Sequence, residues 1–477
     1  MINLSLLEKR PVVVALLFVA AALFLRIFSC FPTVLDHDES TYIVIANEWL
    51  SGEQLYKDLI DIKPPGIFII YRLLLSICSS VVFTRLFAAV VVGISAFLLY
   101  LLHRHYYKDS RAALWAGGSY IVMISTFVWY GLSVNTELYF NFFTILSFWC
   151  FTNQKWFIGA ALMGFGFIIK YMVLFDFVAF MWWFLLAWYW TTPHNNYVAL
   201  RRLLVRMILA AIIMIIPFVL CHYYFYKVGL WNEFYYIIYT APKRYVSSGA
   251  MLKRAQMLGD FLLRFLPFTF LALYTLWRTP STLFRWQTGS WLLLSAVAVL
   301  LPGNRFGHYT IQLMLPTAWL AGSYFVTSVP QAFRFRGASI VGYAIMTLLV
   351  SGAWVSQYIV CIQKPDIVQQ TANYLNARLQ SNEQIYTGNE QQILYFLTQR
   401  NCPIPYVHRS LLFDPKHIYT LQIDTTAVVA SLIQQKPAYI IQNKRFPNGQ
   451  LQAFVDSNYE LVNTIGNQIN IQHRCLE

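Results

Sequence analysis

DHDESTYIVIANEWLSGEQLYKDLIDIKPPG, residues 36–66, holds seven of the 21 acidic residues in this chain, all between Asp36 and Asp61. Beyond it, from residue 62 to 361, only Asp109, Glu137, Asp176, Glu233 and Asp260 are acidic. The surroundings explain why that matters. Only 12% of the 477 residues are charged and 58% are apolar, whereas a soluble domain carries about 25% charged residues. Runs of roughly 20 apolar residues recur from Pro11 to Val360, each able to cross a hydrocarbon core about 30 Å thick. The quoted stretch is therefore a carboxylate-rich loop beside a bilayer, and the chain reads as a polytopic α-helical membrane protein.

Residues 1–31 have the outline of a signal peptide, with Lys9 and Arg10 before an apolar stretch. That stretch is too long for an ordinary signal core and reads as a retained first span. The candidate spans are 11–31, 82–102, 113–130, 138–152, 156–171, 173–190, 203–226, 259–277, 287–301, 309–327 and 338–360, about eleven crossings by length and apolarity. With the N-terminus inside, the loops at 103–112, 191–202, 278–286 and 328–337 face the cytoplasm. They carry Arg104, Lys108, Arg111, Arg201, Arg202, Arg278, Arg285, Arg334 and Arg336 against one acid, Asp109. This is the positive-inside pattern, and it accounts for much of the net charge of +14 without nucleic acid.

The same orientation puts 32–81, 131–137, 227–258, 302–308 and the whole tail outside. The apolar segment from Pro65 to Ser80 is read as a helix in the outer interface rather than a crossing. After residue 361 the composition turns polar. Ile385-Tyr386 and Ala438 to Ile441 read as strands and Asp366 to Leu379 as a helix, so 362–477 is expected to be a small extracytoplasmic α/β domain beside a membrane region, 1–361. Seven cysteines show no metal-type spacing, although Cys402 and Cys475 would be able to pair in an oxidising compartment.

Carboxylates are what a reaction needs to accept a proton from a hydroxyl or to steady a developing oxocarbenium charge. Asp38 has a structural reading as well, as the cap of a helix from Glu39 to Ser51 closed by Gly52. The two readings are compatible. Lys63-Pro64-Pro65-Gly66 opens the interfacial helix, since proline is tolerated in a first turn. An ammonium at a helix N-terminus suits either a specific lipid phosphate or bulk anionic headgroups.

DHDESTY (36–42) and LYKDLIDIKPPG (55–66) together resemble the first outer loop of C-type (GT-C) glycosyltransferases, in the branch of protein O-mannosyltransferases and lipid A aminoarabinose transferase. GLSVNTELYFN (131–141), GFGFIIK (164–170) and RFGHYTIQLMLP (305–316) continue the resemblance in order over roughly residues 1–360. It implies an inverting transfer of a sugar from a polyprenyl-phosphate donor to a lipid, glycan or protein acceptor outside the inner membrane. By position it implies that Asp38 is the base or orients the acceptor, that Glu39 is its acidic neighbour, and that Lys63 meets the donor phosphate.

Glu137, one of the few acids of the membrane region and on the same expected face as Asp38, is a candidate catalytic carboxylate together with Asp38 and Glu39. It also suits the first turn of the span beginning at Leu138. Lys170 ends a span on the outer side, against the positive-inside trend, either snorkelling or as a second phosphate contact. Arg305, His308 and Tyr309 make a compact polar group in a short outer loop, with arginine suited to bidentate phosphate binding. Many relatives of the aminoarabinose branch continue Asp-Glu-x-Arg-Tyr, whereas Ser40-Thr41-Tyr42 follows Glu39 here, which leaves the donor sugar open. Asp36-His37-Asp38 has the form of a divalent-metal motif, but Lys63, Lys170 and Arg305 already supply cations, so no obligatory metal or other cofactor is expected. A competing reading is a transporter or flippase of a lipid-linked sugar. It calls for ionisable groups near the middle of several spans, whereas only Asp176 reads as an intramembrane acid, near the outer third of its span, and the acids cluster outside.

Overall fold

The computed structural model describes residues 10–193, 196–245, 251–279, 282–326, 338–388 and 391–475. Lys9 and the loop with Arg334 and Arg336 lie outside the described residues. Helices follow the apolar segments closely. They are α1 (Pro11–Arg26), α2 (His37–Leu50), α3 (Gly66–Ile77), α4 (Val81–Tyr107), α5 (Ser110–Thr126), α6 (Thr136–Thr152), α7 (Trp156–Ile169), α8 (Val173–Thr191) and α9 (Tyr197–Lys227). After them come α10 (Met251–Arg264), α11 (Leu266–Arg278), α12 (Leu283–Leu300), α13 (Ile311–Ser323) and α14 (Ala338–Cys361).

Among the described residues five helical stretches are long and apolar enough to cross a membrane: Pro11–Cys30, Val81–Tyr107, Val173–Thr191, Tyr197–Lys227 and Ile340–Cys361. The segment expected as one span at 259–277 is instead two helices, α10 and α11, bent by 99°. Pro267, in the first turn of α11, has no N–H to continue the preceding helix, so the chain turns there. The helices α5, α6, α7, α12 and α13 have 13 to 18 residues.

The chain forms two compact units. The first combines the described residues of Met1–Ser29, Arg85–Cys221 and Ser247–Tyr358. Its helices pack in pairs, α6 on α7, α5 on α13 and α8 on α12. Small residues permit the closest approach: a Cβ on Gly322 would lie 2.7 Å from the Ala116 nitrogen, so glycine is what lets α13 meet α5. The buried Arg26 guanidinium donates to the carbonyls of Ile124, Gly131 and Leu132 at 3.0, 2.8 and 2.6 Å, which ties α1 to the end of α5.

The second unit gathers Cys30–Thr84, His222–Val246 and Ile359–Glu477 in its described parts, so the acidic first loop is grouped with the tail. The tail carries β1 (Ile385–Thr387), β2 (Tyr439–Gln442), β3 (Tyr459–Ile465) and β4 (Ile469–Arg474) in the order β1-β2-β4-β3. Strand β1 runs parallel to β2, with Ile385 opposite Tyr439, and the other pairings are antiparallel. Gly466 and Asn467 both adopt positive φ in the β3–β4 turn, a conformation these two residue types tolerate. Helix α15 (Ile367–Asn376) begins at Asp366, which caps it by accepting from Gln369 N at 2.9 Å. The remaining helices of the tail are α16 (Ile393–Thr398), α17 (Arg409–Phe413), α18 (Pro415–Leu421), α19 (Thr425–Gln435) and α20 (Gly449–Asn458). Its core is built from Tyr386, Ile404, Leu432, Ile440, Leu451 and Val455.

Hydrogen bonds fasten the first loop to the tail inside this unit. Thr33 donates through N and Oγ1 to Asp366 Oδ2, both at 2.6 Å. Gln392 donates to the His37 carbonyl at 2.9 Å and to Thr41 Oγ1 at 3.0 Å. Ile60 N donates to the Pro405 carbonyl at 2.8 Å, and Cys402 N to Glu48 Oε1 at 2.8 Å. Cys402 and Cys475 are not bridged.

Candidate active site

Helix α2 starts two residues earlier than expected. Its cap is Asp36, whose Oδ1 accepts from Asp38 N at 3.1 Å, and not Asp38. Asp38 and Glu39 therefore sit in the first turn, where the free N–H groups favour negative charge. At the other end Ser51 is the C-cap and Gly52 follows at φ 113°, a conformation open to glycine. Relieved of capping, the Asp38 carboxylate accepts from Lys63 Nζ at 3.0 Å.

Lys63 lies just before α3, whose cap position is Pro65. Its Nζ also stands 3.5 Å from Asp61 Oδ1, and its own N–H donates to that same oxygen at 3.0 Å. This is a tight local turn of the kind short acidic side chains make. The Tyr56 hydroxyl donates to the Lys63 carbonyl at 2.8 Å, and the Tyr42 ring lies 5.1 Å from the ammonium. Two carboxylates thus face one ammonium, while Glu39 is fully buried beside them.

Sequence reasoning passed over Asp61 and, within electrostatic reach of this cluster, His408. Asp61 had a readable signal, an acid two residues before the lysine of the KPPG motif. His408 had none, since it comes from the tail. Burial pushes its imidazole below the ordinary range; Asp38 and Asp61 oppose that shift, and Lys63 and His37 add to it. Nearby, burial raises the Glu48 carboxyl from 4.5 to about 8, with Glu53 adding to it and the Cys402 N–H opposing it.

The first unit holds a second cluster. Glu137 lies in the first turn of α6, almost wholly buried, and accepts from Lys170 Nζ at short range and from Thr136 Oγ1 at 2.8 Å. Lys170 is the residue that closes α7, and its Nζ lies 3.9 Å from the Tyr309 ring centre. Tyr309 and His308 occupy one turn, Gly307–Thr310, with their rings 4.9 Å apart, and His308 is within electrostatic reach of Glu137. A cleft is lined here by Glu137, Phe140, Lys170, Tyr309 and Gln312. Gln312 donates to Asp176 Oδ2 at 2.6 Å and to the Met172 carbonyl at 3.0 Å. Asp176, the one acid read as lying within a span, also accepts from Trp291 Nε1 at 2.9 Å and Ser295 Oγ at 3.1 Å.

Glu137, Lys170, His308 and Tyr309 are therefore brought together, as are Asp38, Glu39 and Lys63 in the other unit. Arg305 differs: it is exposed and in the field of Asp260, which also pairs with Arg264 at 2.9 Å. Among the described residues no group of three His, Cys, Asp or Glu side chains is arranged to hold a metal ion.

No family model matches the chain, and no curated protein matches it in sequence. Its fold is similar to that of ArnT. ArnT from Cupriavidus metallidurans bound to undecaprenyl phosphate is similar at a TM-score of 0.67 and 15% identity, covering 96% of this chain and 97% of that one. The apo state of the same protein gives 0.65 at 13% identity over the same shares.

Proposed function

We propose that this protein transfers a sugar from a polyprenyl-phosphate carrier to a hydroxyl or phosphate of an acceptor outside the inner membrane. The observation that carries the reading is the Asp38 carboxylate held 3.0 Å from Lys63 Nζ at the start of α2, in an ArnT-like fold. The similarity to a structure bound to undecaprenyl phosphate supports a polyprenyl donor. About eleven crossings, a cytoplasmic N-terminus and an extracytoplasmic tail belong to the same proposal.

The chemistry follows from the charges. An arriving donor phosphate competes with Asp38 and Asp61 for the Lys63 ammonium. As it does so, Asp38 takes a proton from the acceptor hydroxyl. The acceptor oxygen bonds to the anomeric carbon, the bond from that carbon to the phosphate oxygen breaks with inversion, and the lipid phosphate leaves with the electron pair. Lys63 steadies the charge on the departing group. Glu39 supports the Asp38 turn. For Lys170, Arg305, His308 and Tyr309 the proposed role is contact with the donor phosphate, with Glu137 holding Lys170. The residue set contains its own cations, and we propose no obligatory metal.

The test is mass spectrometry of envelope lipids, glycans and glycoproteins from cells with no copy, the wild-type chain or Asp38→Asn. One glycosylated species should require the wild-type chain and vanish with the variant at equal expression. Full product from a well-folded Asp38→Asn protein would remove the first loop from the chemistry.

A further inference from the structure

Trp291 and Ser295 stand one helical turn apart on α12, and both donate to Asp176 Oδ1, in the first turn of α8. The other oxygen, Oδ2, accepts from Gln312 Nε2 at 2.6 Å. Indole and amide N–H groups can only donate, so each Asp176 oxygen is held as an acceptor. All four side chains are buried. The same Gln312 nitrogen donates to the Met172 carbonyl at 3.0 Å, beside the Phe175 N–H at 3.1 Å. Both amide hydrogens are thus committed, which fixes the way the Gln312 side chain faces. Met172 belongs to the short link between α7 and α8 that Lys170 opens. Gln312 follows Tyr309 by three residues, in the first turn of α13. Its amide therefore ties the link that carries Lys170 to the segment that carries Tyr309. Those are two of the places the ammonium joins, with Nζ 3.9 Å from the Tyr309 ring and paired with Glu137.

We propose that Asp176 is a positioning residue for Lys170: its carboxylate fixes the Gln312 amide, and the amide holds the link from which the ammonium reaches Glu137 and the donor phosphate. This rests on the transfer reading above. A lysine side chain is a flexible stem, so the place of its charge depends on where its backbone is held. A carboxylate is a costly anchor among apolar helices. What it supplies in return is a charge-assisted hydrogen bond, shorter and stronger than a neutral acceptor would make. The acid in α8 then serves the placement of a cation and not a path for ions.

Asp176→Asn keeps the shape but leaves one acceptor oxygen. Trp291 and Ser295 together claim it, which turns the new NH2 against the Gln312 NH2 and breaks the link. Gln312→Met breaks the same link from the other end. Trp291→Phe removes one donor from Oδ1 and leaves the link whole. Binding of undecaprenyl phosphate to the full-length protein in nanodiscs should weaken about 10-fold in Asp176→Asn and in Gln312→Met, the scale of one misplaced charge-assisted hydrogen bond. Trp291→Phe should bind as wild type does. In a Lys170→Ala/Glu137→Gln background, Asp176→Asn should change the affinity by less than about 2-fold, because no ammonium remains to be placed. Wild-type affinity in both link variants, or the full 10-fold loss repeated in that background, overturns the proposal. A readout without ligand stands beside it: acylation of Lys170 by an amine-reactive reagent, mapped by mass spectrometry. Its rate should rise in Asp176→Asn and Gln312→Met and stay put in Trp291→Phe; an unchanged rate in both link variants also overturns the proposal. A wild-type protein that binds no undecaprenyl phosphate, while the acylation rate still rises, overturns the donor reading and leaves the Asp176–Lys170 coupling standing.

Discussion

Asp38 and Glu137 are each paired with a lysine, yet the two pairs differ in what their loss should do. The Asp38 and Lys63 side chains are 20% and 24% exposed, whereas Glu137 is 1% exposed against 21% for Lys170. Partial exposure makes Asp38–Lys63 a pair that water can replace, so Lys63→Ala should fold. It should raise the donor KM more than it lowers kcat, because a phosphate contact is lost. Unchanged donor dependence with impaired acceptor use would show the assignment to be wrong. Lys170→Ala leaves a buried carboxylate without its counter-charge, a loss of about 3–5 kcal/mol by analogy with other buried pairs. Adding Glu137→Gln should recover much of that stability without recovering transfer. Thermal unfolding in detergent, set beside turnover, separates the two effects; equal stability of Lys170→Ala and wild type would mean the pair is not structurally important.

At the scale of elements, Glu48 lies in α2 and joins it to the tail by accepting from Cys402 N. Its folded-state pKa stands above the unfolded one, at about 8 against 4.5. The unfolded chain therefore gives up this proton from about pH 4.5 upward while the fold keeps it, and stability falls as pH rises through that window. Glu48→Gln keeps an acceptor oxygen for Cys402 N and removes the titration. The variant and wild type should melt alike near pH 4, and the variant should be more stable by about 1–3 kcal/mol at pH 8. A constant gap across that range would mean Glu48 is ionised in the fold. Most elements were legible from apolar run length, since in a bilayer a backbone has few options besides helix. The exceptions have physical causes. Asp36 and Asp38 are equally good caps by type, and only the path of the preceding backbone decided between them. The break before α11 turned on Pro267, whose effect the apolar run concealed. The fastening of the first loop to the tail, and His408 with it, rests on contacts between distant residues that no local pattern encodes.

Across the whole molecule the proposed orientation links the arginine-rich loops, the acidic loop and the tail, and it turns on α3. That helix has 12 residues, too short for an upright crossing of roughly 20. It begins after two prolines, so the chain is already turning where it starts. If α3 crossed, every later loop would change sides, and the arginines of residues 103–112 and 191–202 would face outward against the positive-inside trend. Labelling of single cysteines in a cysteine-free background decides the matter, provided the positions are accessible. Ser133 and Ser110 are loop-end serines but are buried, and would stay unlabelled on either side. Ser51 and Ser381 are exposed, as are Lys108 and Thr191. Cysteines at Ser51 and Ser381 should react with an impermeant maleimide added to intact spheroplasts, and those at Lys108 and Thr191 should react after the membrane is opened. Labelling of Ser51 together with Lys108 in intact spheroplasts would mean that α3 crosses, because only an extra passage between residues 51 and 108 brings both to the outer side.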